Sequence, residues 1–248
     1  MNKVIVITGS SRGIGAATAL QAAKQGYDVC INYRSDKASA EKIMSTIISM
    51  GRKAIAIQAD VSQEVEVVRL FEAVDQTFGT LTALVNNAGM VGLKTRVEDI
   101  TEARLNQMFS TNITSYFLCC REAVRRMSNK HGGKGGSIVN VSSAASRLGS
   151  ANEYVDYAAS KGAIDTLTIG LSNEVADEGI RVNCVRPGFI YTDIHQASGD
   201  PHRIDKMKQN IPMKRGGKPE EVANAILWLL SDEASYITGT FIDIAGGR

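Results

Sequence analysis

Cysteine and histidine are scarce, with four and three copies in 248 residues. Cys30, Cys119, Cys120 and Cys184 lie inside apolar segments and none has CxxC spacing. They read as reduced core residues, which excludes a disulfide scaffold and a thiolate metal site. His131, His195 and His202 are scattered through loop-like stretches, without the spacing of metal ligands. Charge of one sign is lacking too. Net charge is +2 and there is no long basic run, so nucleic acid is not the expected partner. Long apolar runs are also missing. VIVI near the start is too short for the core of a signal peptide, and AILWLL is far too short to span a bilayer. The expectation is a soluble, cytoplasmic protein that does not enter a membrane.

What is present is ordinary globular composition, 44% hydrophobic and 22% charged, without repeat or linker. It suits a single domain over 1–248. Apolar runs of strand length alternate with segments of helical period. Strands are expected at 4–8, 28–33, 53–59, 81–87, 137–142, 180–186 and 238–244. Helices are expected at 13–26, 36–50, 62–78, 99–130 (long or kinked), 154–178 and 219–231. This pattern predicts an α/β, Rossmann-type, doubly wound fold: a mostly parallel seven-stranded sheet with helices on both faces. Residues 188–218 are polar and irregular, the length of a functional loop or lid.

TGSSRGIG (8–15) follows the first strand and opens the first helix. Gly9 permits a tight turn, and Gly13 and Gly15 allow a pyrophosphate to approach the positive end of the helix. YAASK (157–161) places a phenol and an ammonium at i and i+4, on one helix face. A free tyrosine has a pKa of ~10, and bringing it to about 7 takes roughly 4 kcal/mol of differential stabilisation. A neighbouring lysine can supply part of that. Tyr154 lacks such a partner, because its i+4 residue is Ala158.

With NNAG (86–89), TNIT (111–114), VSS (141–143), RPG (186–188) and IAGG (244–247) in order, the whole chain resembles the short-chain dehydrogenase/reductase family, in its short single-domain branch. Within it, NYRS and YAASKGAIDTLT look closest to glucose 1-dehydrogenase-like and 3-oxoacyl-carrier-protein reductase-like members. The resemblance implies hydride transfer between a nicotinamide and a carbonyl or secondary alcohol. Tyr157 would be the acid/base, Lys161 would lower its pKa and bind the ribose, Ser143 would hold the substrate oxygen, and Asn112 would hold a relay water. Strand alternation lets only one of Ser142 and Ser143 face the site, and the family's serine is the second of the pair.

For the cofactor, the resemblance assigns Gly9, Ser11, Arg12, Gly13, Ile14, Gly15, Tyr33, Arg34, Asp60, Val61, Asn86 or Asn87, Ala88, Gly89, Tyr157, Lys161, Pro187, Gly188, Ile190 and Thr192. Asn86 could instead hold the sheet through side-chain hydrogen bonds. The acid that would select NAD is missing after the second strand, where Asn32-Tyr33-Arg34-Ser35 stands. Arg34 and Arg12 can instead flank a 2′-phosphate, so NADP(H) is expected, with NAD(H) possible.

Other expectations concern the surroundings. Residues 188–218, with His195, His202, Arg203 and Lys206, would order on substrate binding. Arg147 could meet an anionic group. Arg125, Arg126, Lys130 and Lys134 could form a patch for an acidic carrier protein. A homotetramer is implied by resemblance, through the helices near 104–130 and 154–178. The alternative is a non-catalytic nucleotide-binding or scaffolding protein that keeps the fold.

Overall fold

A computed structural model describes residues 3–192, 199–200 and 202–248. The strands are β1 (Lys3–Ile7), β2 (Tyr27–Tyr33), β3 (Ala54–Gln58), β4 (Ala83–Asn86), β5 (Gly136–Val141), β6 (Ile180–Pro187) and β7 (Phe241–Ile244). They form one sheet in the order β3-β2-β1-β4-β5-β6-β7. Every pairing is parallel, so the expected "mostly parallel" sheet is wholly so.

The helices are α1 (Gly13–Lys24), α2 (Lys37–Ser49), α3 (Glu64–Phe78), α4 (Glu102–Phe109), α5 (Ser115–Met127), α6 (Ala145–Leu148), α7 (Val155–Glu174), α8 (Arg203–Met207) and α9 (Pro219–Leu230). Alternation along each strand splits the core into two layers. Ile5, Ile7, Val29, Ile31, Val85 and Val139 meet α1 and α9 on one face. Val4, Val6, Cys30, Leu84 and Ile138 meet α3 and α5 on the other. Helix α1 lies close to α9, through the small buried residues Ala16, Ala19, Ala22 and Ala23.

Three expectations shift in detail. The stretch 99–130 is interrupted by a π-helical turn, Ser110–Thr114, between α4 and α5. Such turns insert a residue into the helix and re-aim side chains, and this one contains Asn112. The stretch 154–178 ends α7 at Glu174 and adds a 3₁₀ turn, Ala176–Glu178. Within 188–218, α8 and the 3₁₀ turn Lys208–Asn210 are regular, and Ile204 and Ile211 are buried. That part of the loop is therefore packed structure. His195 lies outside the described residues. Among the described residues no helix is long and apolar enough to cross a membrane.

The strand order reverses between β1 and β4, and the chain leaves both strands at their carboxyl ends. That crevice is where ligands bind in open parallel sheets. The glycine turn and NNAG both fall there.

Candidate active site

The glycine turn is tied down by three polar side chains. Gly9 has φ +62° and donates its amide to Asn32 Oδ1 at 3.1 Å. Asn32 Nδ2 donates in turn to Ala59 O at 3.0 Å. Asn87 Nδ2 donates to Thr8 O and Gly9 O at 2.9 and 3.0 Å. The Thr8 hydroxyl accepts the amides of Asn87 and Ala88 at 2.9 and 3.0 Å. A Cβ on Gly15 would lie 2.6 Å from both Gly9 O and Asn87 Nδ2, so only glycine fits at the start of α1. No acidic residue occupies the first turn of that helix, which leaves its positive end open to an anion.

Of the other expected cofactor residues, Thr192 packs over Gly13, where an added Cβ would meet its methyl at 3.3 Å. Ser11 and Ile14 are half-buried at the turn, and Arg12 is exposed at its rim. Tyr33 is buried and Arg34 exposed. No hydrogen bond or salt bridge engages the Arg34 guanidinium among the described residues. The nearest acid, Asp36, caps α2: its carboxylate accepts the Ser39 amide at 3.1 Å, and that bond holds it below the usual range. Asp60 turns onto its own loop, accepting the Ser62 amide and hydroxyl, and Val61 is buried. Asn86 is buried and bonds Asn140 Oδ1 at 2.9 Å, so it holds the sheet while Asn87 lines the cavity.

Ser143, Tyr157 and Lys161 converge on a cavity of about 440 Å3 beside that turn. Pro187, Gly188 and Ile190 also line it, with Tyr154, Phe189, Met207, Arg203 and Arg248 on the loop side. Buried Asp156 fixes the start of α7 by a bidentate pair with Arg104, 2.6 Å at its shorter contact. Ser142 is buried and donates to Lys161 O at 3.1 Å. Ser143 is half-buried and lines the cavity with Tyr157, its hydroxyl accepting the Ala145 amide at 3.1 Å. Asn112 Oδ1 accepts the Met90 amide at 2.8 Å, and its Nδ2 donates to Ser160 Oγ at 3.1 Å. That side chain ties the 88–90 loop to α7.

Burial dominates the electrostatics of the pair. Lys161 is only 3% exposed. Its Nζ donates to Val141 O at 2.8 Å and to Tyr116 Oη at 3.2 Å. Burial pushes the Tyr157 phenol up, against the neighbouring Ser143 hydroxyl, which pulls it down. Burial also lowers Lys161 from 10.5 to about 8. The lysine alone therefore does not ionise the tyrosine, because desolvation penalises both charged forms.

Two residues escaped sequence reasoning. Tyr116 sits in SYFLCC and reads as core, yet it is four residues after Asn112, on the same helical side. Tyr154 lacks a charged helix partner but walls the cavity, with its buried hydroxyl unpartnered among the described residues. Arg203 of α8 stacks over the Tyr154 ring at 4.9 Å and pairs with Glu153, which also holds Lys94 at 2.6 Å.

Residues 9–248 match the family described as "Enoyl-(Acyl carrier protein) reductase". The "Uncharacterized oxidoreductase YgfF" of Escherichia coli is 61% identical over 245 residues, 99% of each chain. The chain belongs to the short-chain dehydrogenase/reductase family. It is an oxidoreductase of that family, whose members use a nicotinamide cofactor on small-molecule substrates. Other short-chain dehydrogenase/reductase relatives include "Glucose 1-dehydrogenase 2" of Bacillus subtilis, 37% identical over 99% of this chain and 94% of that one. FabG of Staphylococcus epidermidis, a "3-oxoacyl-[acyl-carrier-protein] reductase", is 37% identical over 100% and 99%. A short-chain dehydrogenase from Burkholderia cenocepacia, crystallised with NADP, superposes with TM-score 0.91 at 32% identity, covering 100% of this chain and 98% of that one.

The depressed Lys161 has a thermodynamic consequence. Unfolded, the amine keeps its proton up to 10.5; folded, it sheds it at about 8. The unfolded state holds the extra proton between those values. Stability is therefore full above 10.5 and is lost as pH falls toward 8. Buried thiols with raised values oppose this above 9, so pH 8–9 is the clean window. Urea unfolding at pH 8 and 9 should show the advantage of Lys161→Met over wild type shrinking by about 1 kcal/mol across that interval. A pH-independent difference would contradict a depressed amine.

Proposed function

We propose that this oxidoreductase is NADP(H)-dependent and acts on a small carbonyl compound or secondary alcohol. The observation that carries the reading is the convergence of Ser143, Tyr157 and Lys161 on one cavity beside a glycine turn that admits no Cβ at Gly15. The turn fits a dinucleotide: backbone amides and a helix N-terminus for the pyrophosphate, with Asn87, Thr192 and Lys161 along the nicotinamide end. When bound, the cofactor supplies or accepts the hydride and, oxidised, adds a positive charge near the site.

In reduction, Tyr157 donates its phenolic proton to the carbonyl oxygen, while Ser143 donates a hydrogen bond to the same atom. Lys161 then faces the phenolate with a buried ammonium and stabilises it. In oxidation Tyr157 takes the alcohol proton instead. General acid–base catalysis of this kind contributes about 10²–10⁴-fold, and one oxyanion donor about 10²–10³-fold.

A free guanidinium at Arg34 and a spoken-for carboxylate at Asp36 support NADP(H) over NAD(H). The Burkholderia cenocepacia relative was crystallised with NADP. A charge-assisted hydrogen bond is worth ~1.5–3 kcal/mol, about 10- to 150-fold. Arg34→Asp should therefore lower kcat/KM for NADPH by roughly that factor and leave or raise the value for NADH. Equal losses with both would remove Arg34 from the phosphate site.

A free sugar or small ketone is favoured over a carrier-bound 3-oxoacyl group. Arg125 and Arg126 are paired with Glu122 and Asp75, and Lys130 with Glu178. Only Lys134 of the expected patch is exposed and unpaired. Arg147 pairs with Asp243 at 2.7 Å, so it is not free for a substrate anion.

The chain assembles as a homotetramer in this reading. Phe109, Phe117 and Ile169 support it, as large apolar residues exposed on α4, α5 and α7. Light scattering of the purified chain should give four times the 26.6 kDa chain mass; a monomer would end that part of the reading.

The decisive assay offers ketones, aldoses, quinones and 3-oxoacyl thioesters with NADPH to wild type and Tyr157→Phe. Turnover by wild type, lost at least 10²-fold in the variant with NADPH binding kept, is the expected result. Undiminished turnover in Tyr157→Phe would overturn the assignment.

A further inference from the structure

Tyr116 is 1% exposed and projects from α5 against the end of β5. A phenylalanine would fill the same space without burying a hydroxyl. Here the hydroxyl is fully used. It donates to Val141 O at 2.9 Å, which turns its lone pairs toward Lys161 Nζ at 3.2 Å. Nζ also donates to Val141 O at 2.8 Å and lies 5.0 Å from the centre of the Tyr116 ring. An ammonium has three N–H donors. Two are consumed by this triangle. The remaining side is the cavity, where Gly89 carries no side chain: a Cβ there would lie 3.6 Å from Nζ.

We propose that Tyr116 is the positioning residue of the Tyr157–Lys161 pair, accepting one N–H of Lys161 so that, with Val141 O taking a second, the third faces the cavity. The inference rests on Tyr157 being the acid/base. It adds a residue that touches neither substrate nor cofactor and acts through Lys161.

The other ionisable groups around the pair offer no substitute. Asp165, on α7, is paired with Arg186 of β6 at 2.9 Å. Cys184 of β6 and Cys119 and Cys120 of α5 are buried thiols held in their neutral form. Tyr157 itself shares the lysine, its ring centre 5.8 Å from Nζ. Tyr116 Oη is thus the side-chain oxygen that bonds the Lys161 amine among the described residues.

Tyr116→Phe keeps the ring and removes only the acceptor. The charged amine then loses support and its pKa falls. Less positive charge faces Tyr157, so the phenol loses its proton at higher pH. The test is an ultraviolet phenolate titration of wild type and Tyr116→Phe, each compared with its Tyr157→Phe counterpart to isolate Tyr157, both without ligand and with NADP+. With NADP+ bound, the expected result is a Tyr157 midpoint higher by about one unit in Tyr116→Phe, equivalent to a tenfold loss of phenolate below the midpoint; without ligand, where Lys161 sheds its proton before Tyr157 titrates, the two midpoints should coincide. NADPH binding should stay unchanged, and kcat for a turned-over substrate should fall about tenfold with KM for NADPH retained.

An unshifted midpoint with NADP+ bound, or an activity loss that only tracks lowered melting temperature, overturns the inference. If Tyr116→Phe does not fold, Tyr116→Met takes its place with the same expected shift, since methionine adapts to irregular core space. The titration needs no substrate, so the two failures separate. Undiminished turnover in Tyr157→Phe sinks the acid/base reading. An inactive Tyr157→Phe beside an unshifted Tyr116→Phe sinks only the role of Tyr116.

Discussion

The site is organised around an amine that has been taken out of water. Lys161 keeps 3% of its surface, and its contacts are a backbone carbonyl, a tyrosine hydroxyl and two aromatic rings. Burying a cation is costly unless hydrogen bonds replace the lost solvent. Val141 O and Tyr116 Oη do so in part, and the residual cost appears as the fall from 10.5 to about 8. The same dryness works against the phenolate of Tyr157. The phenol therefore stays protonated until a further positive charge arrives.

The fold places this pair beside the cofactor turn. β1 and β4 flank the reversal of strand order, and their carboxyl ends carry the glycine turn and Asn87. β5 lies next to β4 and ends at Val141, two residues before Ser143. A parallel sheet therefore delivers cradle, acid/base and oxyanion donor to one edge. Buried polar residues then hold the edge rigid: Asn32 and Thr8 beneath the turn, Asp156 with Arg104 at the start of α7, and Asn112 between α7 and the 88–90 loop.

The expected strands and helices are all present because their signals are local. Runs such as VIVIT have two buried faces, and glycine stops the early helices. The π turn at Ser110–Thr114 was not legible as such, since one inserted residue leaves the apolar period of 99–130 nearly intact. The site was legible where it consists of a motif, as in Tyr157 and Lys161. It was not legible where it depends on contacts between distant segments. Tyr116 meets Lys161 across 45 positions of chain, and Arg203 reaches Glu153 across 50. The desolvation that lifts Tyr157 is likewise a property of packing, which no motif displays.

The central claim is that the protein by itself leaves Tyr157 protonated and that the positive charge of an oxidised nicotinamide completes its activation. Proton release on NADP+ binding tests this most directly. Calorimetry at pH 8–9, in buffers of different ionisation enthalpy, counts the protons released by wild type and by Tyr157→Phe. Release of a larger fraction of a proton by wild type than by the variant is the predicted result. Equal release from both proteins, or none from wild type, would contradict the account.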